Sequence, residues 1–147
     1  GFTFCVNPGI YIIENKIGAI PKLVTKDGSD PQFISNDRIL FQASEEEDKT
    51  YKSISIDGKE LKTHFTSKDA TSVSVSPDGN WVAFIELFKA YIAAFPKTGK
   101  PLELSAKMAS MPVVQIAKDA GLNIHWSKDN KKIHASFDNM GNEMIVV

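Results

Sequence analysis

The stretch VSVSPDGNWVAFIE, residues 73–86, leaves a chain little freedom. Apolar residues alternate up to a Ser-Pro-Asp-Gly turn, and an apolar run resumes at once. Pro77 sets φ near the value the second position of a β-turn needs, Asp78 can bond the backbone ahead, and Gly79 supplies a positive φ. Trp81, Val82, Ala83 and Phe84 then form an apolar strand after Ser76 has closed the first. The stretch reads as a β-hairpin with its turn chemistry written out.

The element recurs. In HWSKDNKKIHASF, residues 125–137, Ser127 and Asp129 match Ser76 and Asp78. Asn130 stands where Gly79 stands, and Asn also tolerates the left-handed region. Lys128 replaces the proline. FISNDRILF, residues 33–41, is a shorter third copy in which either Ser35 or Asp37 can match Asp78. A second element precedes each turn: residues 11–25, 51–66 and 91–105 each run from an aromatic strand through a Gly turn to a short strand closed by Thr or Ser. The third linker carries an insertion, AKMASMPVVQIAKDAG, whose PVVQIA core is expected to add an extra strand.

Strand, turn, strand, loop, strand, turn, strand over roughly 40 to 50 residues is the signature of a β-propeller blade. The expected fold is therefore all-β, with four-stranded antiparallel blades in a partial propeller. Residues 32–70 and 71–121 make two full blades, flanked by partial units at 1–31 and 122–147. Closed propellers need about four to eight blades. The chain is thus expected to be a fragment of a six- to eight-bladed parent, with open edges that invite self-association. Only residues 105–111, SAKMASM, suit a helical turn.

Composition excludes several classes. With 42% hydrophobic residues, 24% charged and a net charge of -1, the chain can bury a core. No basic excess points to nucleic acid, and no apolar run reaches membrane-span length. The acidic run at residues 45–48 reads as a solvated loop. The single cysteine, Cys5, rules out an internal disulfide and, between Phe4 and Val6, reads as a buried strand thiol. The chain opens on Gly1 with no leader-like segment, so an exported parent would have shed its signal.

SPDGNWVAF resembles the repeat of TolB-type propellers. The longer stretch THFTSKDATSVSVSPDGNWVAFIELFKAYIAAFP, followed by DAGLNIHWSKDNKKIHASF, is similar to the propeller domain attached to bacterial metal-dependent amidohydrolases. The resemblance covers residues 38–137. It implies a periplasmic or secreted two-part enzyme, in which a propeller sits beside a hydrolase barrel that binds zinc or a similar divalent metal. No such barrel lies in this chain, so the propeller would scaffold or gate it and hold no cofactor itself. The implied partners are the rest of its own propeller and that catalytic domain. The alternatives are a stand-alone TolB-like protein-binding module of the cell envelope and the gating propeller of a serine peptidase.

Chemistry-bearing motifs are scarce. His64, His125 and His134 form no His-x-His or His-Glu-x-x-His spacing. His125 and His134 lie on two strands of one hairpin and could approach each other; without a carboxylate motif beside them they make a weak metal site, and strand packing is the commoner reading. Asp78 and Asp129 are explained as turn caps. No Gly-x-Ser-x-Gly elbow is present. KTGK, residues 97–100, reads as a hairpin turn, and Trp81 and Trp126 read as surface or core aromatics, a sugar or peptide platform being the rarer outcome and core packing the commoner. No catalytic or metal-binding residue is expected.

Overall fold

A computed structural model describes residues 9–43, 48–95, 100–108, 111–118, 123–137 and 140–145. Cys5, most of the acidic run and most of KTGK lie outside them. All regular structure among the described residues is β, with strands in four sheets and no helix. The first sheet pairs β1 (Ile10–Ile12) with β2 (Lys22–Thr25). The second is a meander of β3 (Ser29–Ser35), β4 (Arg38–Ala43), β5 (Lys49–Ser55) and β6 (Lys62–Ser67). The third contains β7 (Ala70–Val75), β8 (Trp81–Glu86) and β9 (Lys89–Ala94). Next in the chain come β10 (Leu102–Glu103) and β11 (Val113–Ala117), which join the second and third sheets respectively. The fourth sheet joins β12 (Asn123–Trp126), β13 (Lys132–Phe137) and β14 (Met140–Ile145).

The sheets stack face to face, an arrangement compatible with a partial propeller. β8 reads as a nearly unbroken apolar run because both of its faces are covered. Val82 and Phe84 point toward the second sheet, joining Leu40, Tyr51 and Phe65. Ala83 and Ile85 point the other way, toward Ile124, Trp126 and Ile133 of the fourth sheet. β7 divides its faces similarly: Val73 and Val75 enter the core shared with the second sheet. Its serines serve the other side, where Ser72 Oγ accepts from Ile124 N at 3.2 Å and Ser74 O accepts from Trp126 Nε1 at 3.1 Å. Ile39, Phe41 and Ile54 form a third core with Ile10 and Val24 of the first sheet.

The segment after β9 departs from the expected plan. PLEL was expected to end its own blade, but β10 instead adds in parallel to the outer edge of β6, in the preceding sheet. Leu104 N donates to Thr66 O at 2.7 Å, Ser67 Oγ donates to Leu104 O at 2.9 Å, and the Leu104 side chain is buried in the core between the sheets. PVVQIA is no supernumerary strand either: β11 pairs with β9 and supplies the fourth strand of the third sheet. The reason is edge chemistry. β6 and β9 both offer an unpaired ladder, and each takes the segment whose apolar side chains its neighbouring core can bury. The described part of SAKMASM holds one hydrogen-bonded turn, Met108 N to Ser105 O at 3.2 Å.

Candidate functional site

The hairpin turns are built alike. In the β7–β8 turn, Gly79 N donates to Ser76 O at 2.8 Å, and Ser76 Oγ donates to Asp78 Oδ1 at 2.5 Å while accepting from Trp81 N at 3.0 Å. Pro77 occupies the second turn position, and Gly79 has φ 74°. The β12–β13 turn repeats the pattern: Ser127 Oγ donates to Asp129 Oδ1 at 2.5 Å and accepts from Lys132 N at 3.0 Å, with Asn130 at φ 63°. Ser127 holds the Asp129 carboxyl below its ordinary range. Asn130 does more than replace glycine, since its Oδ1 accepts from Asp78 N at 2.8 Å and ties the two turns together. In the third copy Ser35 Oγ donates to Asp37 Oδ1 at 2.7 Å, so Asp37 is the counterpart of Asp78. The Gly turn expected within residues 51–66 has the same cap, with Ser55 Oγ donating to Asp57 Oδ1 and Gly58 at φ 82°.

The inner edges of the second, third and fourth sheets are β3, β7 and β12, and they border a cleft of about 300 Å³. Gln32 staples the first two: its Nε2 donates to Val73 O and its Oε1 accepts from Val75 N, both at 2.9 Å. Asp30, Gln42, Tyr51, Asn123 and His125 bring polar groups to the lining. Burial, with the Asp30 carboxylate adding to it, pushes the Tyr51 phenol up to about 12. Asp30 sits at φ 51°, in the left-handed region. The cleft can accept and donate hydrogen bonds, but it holds no paired nucleophile and base.

A Ser-His contact does occur elsewhere. Ser53 Oγ lies 2.6 Å from His64 Nε2, and Arg38 Nη1 donates to the same Oγ at 2.8 Å. Ser53 is fully buried, so no substrate carbonyl can reach it. Burial, then the Arg38 and Lys62 charges, hold the His64 imidazole below its ordinary range. This trio is a polar staple between β4, β5 and β6, and residues so far apart in sequence announce nothing of it.

The two tryptophans part company. Trp126 is buried beneath Ser74, whereas Trp81 is 45% exposed. Trp81 is the first residue of β8, where its side chain falls beyond both covering sheets. His125 and His134 are brought together, but His125 is exposed and neither belongs to a buried cluster. Among the described residues no group of three metal-donor side chains occurs, and no helix is long and apolar enough to cross a membrane.

No family model matches the chain, and no curated protein matches it. Two solved structures of Pyrococcus horikoshii acylaminoacyl peptidase are similar to it. The uncomplexed form is 20% identical with a TM-score of 0.41, covering 74% of this chain and 16% of the peptidase. The orthorhombic crystal form is 18% identical with a TM-score of 0.42, covering 74% and 17%. The chain thus spans about a sixth of the peptidase's length. A likeness of this size carries nothing about activity.

Proposed function

We propose that this chain is a non-catalytic run of propeller blades that scaffolds or gates a partner domain. One observation carries the reading: the second and third sheets have cores on both faces, while the first, last in the stack among the described residues, carries exposed apolar side chains. Ile10 and Val24 of that sheet turn inward, Tyr11 and Leu23 stand exposed on it, and Ile13 is exposed just past β1. Ile17 and Ile20, in the loop between β1 and β2, are also exposed. An apolar end face of this kind suits a further blade or a docked domain. Support for an exported amidohydrolase as the parent comes from the resemblance of residues 38–137 alone, and the zinc it would need belongs to the absent barrel.

The chemistry fits a scaffold, because the described residues bring no accessible nucleophile, base and oxyanion donors together. Purified and supplied with zinc, the chain is expected to hydrolyse neither peptides nor lactams. Zinc-dependent turnover that follows the chain through purification would overturn the proposal.

A further inference from the structure

His125 and His134 are directly paired across β12 and β13. Their strand neighbours Ile124, Trp126, Ile133 and Ala135 take the face buried against the third sheet. The two imidazoles therefore share the opposite face, with ring centroids 5.0 Å apart and planes 9° from parallel. His125 also lines the cleft between the inner strands, so solvent reaches it. On the next strand, backbone register sets position Glu143 across from His134.

We propose that His125 and His134 form a surface site for one divalent transition-metal ion of the zinc, copper or nickel class, with water completing its coordination. Imidazole is a preferred ligand of these cations. Geometry carries the case. A tetrahedral zinc has Zn–N distances of about 2.1 Å, and an imidazole centroid lies about 1.1 Å behind its nitrogen, so two ligating rings have centroids about 5 Å apart. The observed centroid spacing agrees with this, while the stacked planes aim the ring nitrogens side by side and not at one point. Binding has to splay two near-parallel rings about their side-chain torsions, while the paired strands hold both Cβ atoms in place. Such preorganisation lowers the ordering cost of chelation. The site is independent of the scaffold reading, since a bound ion at two imidazoles requires no hydrolytic activity.

Zinc titration of the full chain, followed by calorimetry and by the imidazole C–H resonances, tests the site. The expected result is one saturable site per chain, with the His125 and His134 resonances moving together and those of His64 unmoved. His125→Ala and His134→Ala are each expected to weaken binding at least tenfold. Should either variant misfold, the wild-type resonances decide. Saturable binding that survives either substitution, zinc shifts centred on His64, or no saturation below millimolar zinc would each overturn the proposal.

Discussion

Gly79 and Asn130 occupy equivalent left-handed positions with different consequences. No atom lies within 4 Å of where a Cβ on Gly79 would stand, so the constraint there is φ and not space. Gly79→Val is expected to cost about 1–3 kcal/mol, because a β-branched residue resists positive φ. Gly79→Asn should cost less, and thermal melts of the two variants compare them; equal melts would remove the turn assignment. His64 yields a pH prediction. Folding lowers its pKa, so the folded state binds fewer protons than the unfolded chain over the window just below the ordinary histidine value of about 6.5. Stability is full above that value and is lost as pH falls through it. Melts of the wild type and of His64→Gln between pH 7.5 and about 5 check this, with the shallower slope expected for the variant.

Among the described elements, the β8–β9 hairpin puts two consecutive bulky residues in the left-handed region. Glu86 pairs with Lys89, which leaves a two-residue turn of Leu87 at φ 50° and Phe88 at φ 66°. Both turn residues must be left-handed, a role suited to Asn-Gly and costly for bulky side chains. They are also 70% and 55% exposed, so packing within the chain does little to offset the strain. Replacing the pair by Asn-Gly is expected to raise stability by about 1–2 kcal/mol, read as a shifted denaturant midpoint at unchanged slope. The β10 strap makes the opposite case. Its two-residue ladder is short, and what holds it is the buried Leu104 side chain beside Phe65.

For the whole molecule, stacking through both faces makes each sheet depend on its neighbours, as in other repeat architectures. The fully buried Phe65 and Phe84 belong to a core that the second and third sheets share, and neither sheet closes it alone. Among the described residues, the first sheet's exposed apolar face has no such neighbour. The isolated chain is therefore expected to associate, and size-exclusion chromatography with light scattering should show a mass above 16.2 kDa that grows with concentration. A clean monomer with a sharp two-state melt would mean that this face is tolerated in water and that the chain is self-sufficient.

Turn chemistry was legible in the chain itself because it acts over a few residues. Ser76, Asp78 and Gly79 bond one another across Pro77 whatever surrounds them, and so the all-β class and the hairpins could be read directly. The recurrence of those turns pointed to repeated sheets for the same local reason. Partnership across sheets was decided only by the tertiary structure. PLEL and PVVQIA are both short apolar strands, and which open edge each joins depends on the core waiting beside it. The Gln32 staple, the Ser53–His64 contact and the link from Asn130 to Asp78 each join groups between 11 and 52 residues apart, where no sequence period reaches. Local hydrogen bonds are specified by neighbours in the chain, while packing is specified by surfaces that exist only after the chain has folded.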